Sequence, residues 1–277
     1  MDMNFFESCL YGLFSGLAEF LPVSAEAHRV LVRQLLGIEG ELPLLNFFVH
    51  IGALLAVLQG AKETLLRLYR EYQLRQTPRR RRRRPSDTQS AADISLLKTA
   101  LVPVLIGFLI YIKSQNWQTA THIVAPLLFV NGIILYIPMY LPAGNKDARS
   151  LSPLDGILVG LSAMLAVFPG ISRVAATTAV AAARGAEPQN GYRWGLLLSI
   201  PVLAIMCLFD IISAFVVGFS GITVFSVLQC ILGAVTSFSG AYLGIALVRN
   251  ILQKSSIFVF SYYCWGAAIF TFILYLI

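Results

Sequence analysis

The stretch GLAEFLPVSAEAH, residues 16–28, places charged side chains inside a segment that is otherwise apolar. The longer apolar segment around it, residues 4–36, is interrupted by Pro22 and by four ionisable residues, Glu19, Glu26, His28 and Arg29. A segment interrupted in this way is expected to form two short helices around a polar break. At membrane depth such a break is tolerated only where protein or a water-filled cavity surrounds it. The stretch therefore predicts a re-entrant, broken helix pair.

A second segment, residues 154–184, has the same character. It is apolar but interrupted by a group of small and polar residues, Pro169, Gly170, Ser172 and Arg173. The sequence GLSAMLAVFPGIS, which begins at Gly160, occupies a place equivalent to that of GLAEFLPVS, which begins at Gly16. The chain is therefore predicted to contain two broken helix pairs.

Lipid must cover most of the surface, because only 13% of the 277 residues are charged and 57% are hydrophobic. A soluble domain usually carries about 25% charged residues. A spanning helix needs about 20 mostly apolar residues. Six further segments meet this requirement: residues 42–61, 94–111, 122–141, 192–217, 222–248 and 257–277.

The order of these segments is a broken pair and three spans, followed by a second broken pair and three more spans. An odd number of spans in each half inverts the second half relative to the first, as in many transporters. The sequence thus predicts an all-α polytopic membrane protein with two inverted repeats, each a re-entrant broken helix pair plus three transmembrane helices. Residues 1–277 form one membrane domain, with 1–141 as the first repeat and 142–277 as the second.

The basic residues predict the orientation. Ten of the 21 lysines and arginines lie between Lys62 and Arg84, so the loop 62–93 is predicted to be cytoplasmic. Its Arg-, Pro- and Ser-rich part, residues 76–92, is expected to be disordered and could contact anionic lipid headgroups. This clustering explains the net charge of +7 without nucleic-acid binding. Counting spans from this loop places both chain termini outside the cell and lets the two breaks meet near the midplane.

Ionisable groups inside membrane segments are costly, so each is a candidate functional residue. These are Glu19, Glu26, His28, Arg29, Arg173 and Asp210. Arg173 follows the Pro-Gly break and precedes a predicted helix, where a guanidinium and free backbone N–H groups together suit a phosphate. Ser172 and Thr177 add hydroxyl donors to this anion site.

The first break offers groups for catalysis. His28 can act as an acid, a base or a nucleophile near neutral pH. Glu19 could orient that histidine or hold a divalent cation, Mg²⁺ or Ca²⁺. Structural alternatives remain open at this stage: His28 could bond a backbone carbonyl, and Arg173 could pair with an acid to hold the breaks together. His50, His122 and Asp210 could equally serve packing or interhelical bonds.

Two stretches, residues 16–28 and PGISRVAATT at residues 169–178, resemble the undecaprenyl-diphosphate phosphatases of bacteria. Further stretches that match are LNFFVHIGALLAV (45–57), RWGLLLSIP (193–201) and FSYYCWG (260–266). The resemblance implies a multi-pass protein of the bacterial plasma membrane that removes the terminal phosphate of a C55 polyprenyl diphosphate. The product would be the lipid carrier of cell-wall synthesis, and the activity would affect bacitracin sensitivity.

The resemblance also implies roles for individual residues. The attacking group would be Ser24, Ser172 or His28, and Glu19 is the matching acidic residue. Arg173, with Ser172 and Thr177, would bind the phosphate. Glu19, with Glu26 as an additional carboxylate, would hold the divalent cation or orient the nucleophile.

Four positions depart from the family pattern. Ser15 stands where the family has an acidic residue, Ala25 where it has a second serine, Ala163 where it has Gln or Glu, and Val174 where it has another serine. These changes thin the acidic half of the site and keep the phosphate-binding half. A transporter or flippase of a polyprenyl-phosphate carrier is therefore the competing hypothesis, since inverted repeats with broken helices are also typical of transporters. A homodimer is possible in either case.

Overall fold

The computed structural model of the protein describes residues 3–38, 40, 42–78, 85–113, 121–142, 144–218, 223–254 and 257–276. Within these ranges the chain forms eleven α-helices and no β-strand. The prediction of an all-α protein is therefore confirmed.

The first half of the chain contains six of these helices. They are α1 (Phe5–Phe20), α2 (Ala25–Leu35), α3 (Pro43–Gly60), α4 (Lys62–Gln76), α5 (Thr88–Lys113) and α6 (Thr121–Tyr136), the last continued by a 3₁₀ turn, Ile137–Tyr140. The second half contains α7 (Pro153–Met164), α8 (Arg173–Ala183), α9 (Pro188–Val217), α10 (Val224–Lys254) and α11 (Val259–Leu276).

Six of the described helices are long and apolar enough to cross a membrane: α3, α5, α6, α9, α10 and α11. Each of the two broken pairs, α1–α2 and α7–α8, precedes three of these spans. The polytopic architecture is thus confirmed, whereas the inverted relation of the two halves and their orientation in the membrane stay predictions.

Disorder was expected for residues 76–92, but part of this stretch is helical. Helix α4 continues to Gln76, and α5 begins at Thr88. The Glu71 carboxylate is buried and accepts hydrogen bonds from the Ser86 hydroxyl at 2.5 Å and the Asp87 N–H at 2.9 Å. These bonds connect the end of α4 to the start of α5. They depend on a tertiary contact, which amino-acid composition does not show. The arginine run 79–84 lies outside the described residues.

Small residues hold the first broken pair against α10. A Cβ at Gly16 would overlap the Ser237 backbone, and a Cβ at Gly240 would overlap the Leu13 carbonyl. Small residues at these positions thus let the two helices pack closely, as is common between helices in membranes. In the second half α7 approaches α5 in the same manner, since a Cβ at Gly160 would overlap Ala100. The first helix of each pair therefore lies against the middle span of the other half, and this packing positions both breaks.

Candidate active site

The first tip, residues 21–28, is the break between α1 and α2. Pro22 disfavours helical backbone at the residue before it, and Leu21 is extended, with φ −74° and ψ 146°. Ser24 caps α2 and has φ 71°. Within the part of the chain that the structure describes, Ser24 is the only non-glycine residue with positive φ. A strained residue of this kind persists only where its surroundings fix it, which is common at functional sites.

The second tip, residues 168–173, is the break between α7 and α8. Gly170 has φ 132°, and a Cβ there would overlap the side chain and backbone of Leu127 on α6. Only glycine satisfies both requirements. Ser172 caps α8 by accepting the Ala175 N–H at 3.4 Å. Arg173 is the first residue of α8, so its guanidinium and the free N–H groups of that helix share one end.

Hydrogen bonds join the two tips directly. The Gly170 N–H donates to the Ser24 hydroxyl oxygen at 3.0 Å, and the Ser172 hydroxyl donates to the Leu21 carbonyl at 3.3 Å. Asn131 of α6 bridges the tips: its amide donates to the Pro22 carbonyl and accepts from the Ser172 N–H, each at 2.9 Å. The tips therefore converge although they are far apart in sequence, as predicted. Asn131 was not foreseen; its only signal is one amide in an apolar span.

A cavity opens where the tips meet. Its polar wall consists of Glu19, Ser24, Glu26, Arg29, Ser172 and Arg173. Its apolar wall comes from the described parts of α5, α7 and α9 and includes Val104, Met164, Val202, Ile205 and Met206. The mixture of charged and apolar walls is typical of a site for a partly apolar ligand.

Arg173 is linked to the other tip by charge. Its Nη1 donates to the Glu19 Oε1 at 3.2 Å and to the Ser199 hydroxyl at 3.0 Å. The side chains of Arg173 and Glu19 are only 10% and 6% exposed. Arg173 thus pairs with an acidic residue of the other break, which was the alternative to a role in phosphate binding. Because this ion pair lies at the cavity wall, a phosphate could compete with the carboxylate for the guanidinium.

A second arginine lines the same cavity. Arg29 forms an ion pair with Glu26, three residues before it, and its Nη1 lies 2.7 Å from the His50 Nε2. The His50 Nδ1 lies 2.5 Å from the Asp210 carboxylate. All these residues except Glu26 are buried. Sequence reasoning counted Arg29 and Asp210 as candidates but did not connect them, because they lie on different helices.

His28, which the sequence marked as a candidate acid, base or nucleophile, does not line the cavity that Arg173 lines. Its Nδ1 lies 2.8 Å from the Ser24 carbonyl oxygen and its Nε2 lies 2.6 Å from the Tyr263 hydroxyl. One helical turn separates His28 from Ser24, and this turn directs the ring toward α11. Glu19 pairs with Arg173 instead of orienting this histidine.

Thr177 also lies apart from the cavity lining. Its side chain is buried, and its hydroxyl donates to the carbonyls of Arg173 at 2.9 Å and Val174 at 3.2 Å within α8. Residue 177 is one turn after Arg173, on the face of α8 that packs against Gly195 of α9. Six of the candidate residues therefore line one cavity: Glu19, Ser24, Glu26, Arg29, Ser172 and Arg173.

A bundle of apolar helices that encloses two arginines and two glutamates at the junction of two broken helices belongs to the class of multi-pass membrane proteins with an internal charged site. Residues 8–270 of the chain match the family model described as Bacitracin resistance protein BacA. The chain belongs to this family.

Individual relatives match nearly the whole chain. The undecaprenyl-diphosphatase of Methanobrevibacter smithii is 31% identical, with 98% of this chain and 97% of that protein aligned. Undecaprenyl-diphosphatase 1 of Shouchella clausii is 28% identical, with 98% and 96% aligned. The undecaprenyl-diphosphatase of Halothermothrix orenii is 28% identical, with 98% of each chain aligned.

The four departures noted in the sequence fall at different distances from the cavity. Ala25 and Ala163 line it, so their small side chains enlarge the space. Val174 and Ser15 are buried and do not line it. The Ser15 hydroxyl has no hydrogen-bond partner among the described residues. Of the altered positions, Ala163 therefore removes a polar group from the cavity wall, and Ala25 removes a hydroxyl from it.

Proposed function

We propose that this protein is an integral membrane phosphatase that hydrolyses undecaprenyl diphosphate to undecaprenyl phosphate and inorganic phosphate. The observation that carries this proposal is the shared cavity in which Arg173, at the start of α8, faces the carboxylates and the Ser24 hydroxyl of the other tip. The names of the relatives support the same activity.

The two walls of the cavity suit the two parts of such a lipid. The diphosphate belongs at the polar wall, where Arg173 and the N-terminus of α8 present donors. The isoprenoid chain belongs along the apolar side chains of α5 and α9, which lead from the cavity toward lipid-facing surface. Substrate phosphate would displace Glu19 from Arg173, since a guanidinium pairs with phosphate and carboxylate through the same donors.

Ser24 is the favoured attacking group. Its hydroxyl oxygen accepts N–H bonds from Gly170 at 3.0 Å and from Ala27 at 3.5 Å, and bonds of this kind stabilise a developing alkoxide. The oxygen attacks the terminal phosphorus, and the bond from this phosphorus to the bridging oxygen breaks. Undecaprenyl phosphate leaves, and water then cleaves the phosphoserine to release inorganic phosphate. Glu19 or Glu26 accepts the hydroxyl proton.

His28 acts as a positioning residue in this scheme. A carbonyl oxygen can only accept, so the His28 Nδ1 carries the proton that is donated to Ser24. The Tyr263 hydroxyl then donates to Nε2. These bonds hold the strained Ser24 backbone, with φ 71°, in the orientation that directs its hydroxyl toward the second tip.

A divalent cation, Mg²⁺ or Ca²⁺, fits the donor set. Glu19 and Glu26 both line the cavity, and Mg²⁺ is commonly held by one or two carboxylates together with substrate phosphates. Among the described residues no group of three His, Cys, Asp or Glu side chains could hold a metal alone. The substrate would therefore supply the remaining ligands. When bound, such a cation neutralises charge on the phosphate oxygens.

Localisation and assembly follow from the same proposal. The protein would reside in the bacterial plasma membrane with the segment 62–93 on the cytoplasmic side, and it could act as a homodimer. In a background without the four native cysteines, a label at Thr77→Cys should be accessible from the cytoplasm and one at Val224→Cys from outside. Labelling of both from one side would contradict this topology.

The decisive experiment measures phosphate release by purified protein from farnesyl and undecaprenyl diphosphate, with and without EDTA. We expect release that EDTA suppresses and that Arg173→Ala abolishes. EDTA-resistant turnover would remove the cation from the proposal and leave the phosphatase. Absence of release, combined with movement of polyprenyl phosphate across liposomes that contain the protein, would favour the flippase.

A further inference from the structure

Arg29 lines the cavity from a position that the proposed chemistry does not use. Its guanidinium has two sets of partners on two sides. On one side Nε and Nη2 donate to the Glu26 carboxylate, and on the other Nη1 meets the His50 ring. Glu26 itself lines the cavity, so the Nε–Nη2 edge of Arg29 is the edge turned toward the ligand space.

The proton positions in this chain follow from the donors available. An arginine guanidinium can only donate, so the His50 Nε2 must accept from Arg29. The ring proton then lies on Nδ1 and is donated to the Asp210 carboxylate at 2.5 Å. A neutral His50 thus connects the positive Arg29 to the negative Asp210 through α3 and α9.

This buried chain anchors the arginine independently of Glu26. His50 is 3% exposed and Asp210 is 6% exposed, and both lie on helices long and apolar enough to cross a membrane. Burying such groups is costly unless they are bonded, and their bonds here end on Arg29. If Glu26 is displaced, His50 and Asp210 still hold the guanidinium at the cavity wall.

The Nε–Nη2 edge of an arginine binds two oxygens of one carboxylate or one phosphate in the same geometry. Glu26 on Arg29 therefore occupies the place of a phosphate group, as Glu19 does on Arg173. We propose that Arg29 is a second phosphate-binding arginine, so that Arg173 and Arg29 each hold one phosphate of the diphosphate and together select diphosphates over monophosphates. This inference rests on the proposed function and adds the residue that determines its substrate class.

The charges of the named groups agree with this arrangement. With a neutral His50, the three carboxylates Glu19, Glu26 and Asp210 outnumber the two arginines by one. Exchange of Glu19 and Glu26 for phosphates frees both carboxylates at the same moment. Two carboxylates and a diphosphate are then available together, which is the ligand set that a divalent cation requires.

The test compares binding of two probes to the full-length protein in detergent. The probes are farnesyl methylenebisphosphonate, in which a CH₂ group replaces the bridging oxygen, and farnesyl monophosphate. For Arg29→Met we expect bisphosphonate affinity to fall roughly 30- to 100-fold, as for the loss of a charge-assisted bidentate contact. Monophosphate affinity should change less than about threefold, because Arg173 can bind a single phosphate. Equal losses for both probes, or no loss for either, would overturn the inference.

Substitutions of His50 test the anchoring chain. The amide of His50→Gln can accept from Arg29 and donate to Asp210, whereas His50→Leu can do neither. We expect bisphosphonate affinity to stay within about threefold of the wild type for Gln and to fall about tenfold for Leu. A merely structural role for His50 would shift affinity for both probes in parallel. Equal bisphosphonate affinities of His50→Gln and His50→Leu would also reject the positioning role.

Two controls keep the result interpretable. If Arg29→Met does not elute as a folded protein, Arg29→Lys retains the charge without the fork and should still lose selectivity. Phosphate release by the wild type is measured in the same preparation. If the wild type releases phosphate and Arg29→Met keeps the wild-type preference for bisphosphonate over monophosphate, this inference is rejected and the phosphatase proposal stands. Arg29-dependent selectivity without any turnover would reject the phosphatase alone.

Discussion

The two tips break their helices with the same devices but use opposite charges. Each has a proline near the break and a serine that caps the following helix, Ser24 in the first and Ser172 in the second. The charged residue of the first tip is Glu26, with Glu19 before it and Arg29 directly after it, whereas the charged residue of the second tip is Arg173. Both carboxylates of the cavity therefore come from the helices that meet at the first tip, and each pair of broken helices supplies one arginine. Neither tip forms a site without the other.

The two tips also differ in the residue that adopts a positive φ. The second tip places glycine at its positive φ, at Gly170, where the conformation is free of cost. The first tip places Ser24 at φ 71°, which costs about 1–3 kcal/mol for a residue other than glycine. Glycine would relieve that strain but would remove the hydroxyl. Ser24 thus keeps a hydroxyl where glycine would be less strained, and this hydroxyl joins the tips and is the proposed attacking group.

The largest effect is expected at the charged residue of the second tip. Arg173→Ala should lower phosphate release on the order of 100-fold or more, since two charge-assisted bonds of roughly 1.5–3 kcal/mol each are lost. Arg173→Lys should restore little, because an ammonium lacks the planar fork. Arg249→Ala serves as the control, since that arginine donates to the Gly60 carbonyl at an exposed site. Near-normal turnover by a well-folded Arg173→Ala protein would reject the site.

The second expected effect compares the two capping serines. Ser24→Gly should reduce turnover about 100-fold while thermal stability changes little, because relief of the strain at φ 71° offsets the lost bonds from the Gly170 and Ala27 N–H groups. Ser172→Ala should keep more activity and lose stability, since its hydroxyl caps α8 and bonds the Leu21 carbonyl. Phosphate release and thermal unfolding in detergent are measured on both proteins. Full activity in Ser24→Gly would move the attacking group to Ser172, His28 or water.

The sequence was sufficient for the spans and for the places where helices break. Hydropathy identified six spans, and Pro22 and the Pro169–Gly170 pair marked both breaks, because these signals are local. The meeting of the tips followed from the repeated order of broken pairs and spans. These predictions depend on residues that are neighbours in the chain or on the number of helices. Both can be obtained from the amino-acid sequence.

Predictions failed where they depended on how one helix is rotated relative to another. His28 and Thr177 carry suitable groups, but the directions of α2 and α8 turn one toward Tyr263 and the other into its own helix. His50 and Asp210 are 160 residues apart in the chain. Predicting their contact, or the bridge that Asn131 forms between the tips, requires knowing how whole spans pack against each other. A single polar residue in an apolar span signals that a partner exists without telling which one.

His28 gives the third expected effect. His28→Ala removes the donor to the Ser24 carbonyl and should lower turnover roughly 10- to 30-fold, the equivalent of one buried hydrogen bond acting through Ser24. Tyr263→Phe removes only the outer hydroxyl and should lower it less than about threefold. Phosphate release is measured with both variants at matched folding. A loss for His28→Ala as deep as that for Arg173→Ala would give His28 a direct chemical role.

The smallest effect is expected at Thr177, where the resemblance to the family and the geometry disagree. The resemblance assigns its hydroxyl to phosphate binding, but the structure directs that hydroxyl to the Arg173 and Val174 carbonyls, away from the cavity lining. Such bonds within a helix add little stability, and valine has nearly the same shape. Thr177→Val should therefore change the KM for farnesyl diphosphate by less than about threefold, which is under 0.7 kcal/mol. Ser199→Ala is the matched comparison, because the Ser199 hydroxyl accepts from Arg173 at 3.0 Å and its loss should raise KM more. A tenfold rise in KM for Thr177→Val would mean that substrate turns the start of α8 and brings this hydroxyl into the cavity. The second tip would then be the moving partner and the first tip the fixed one.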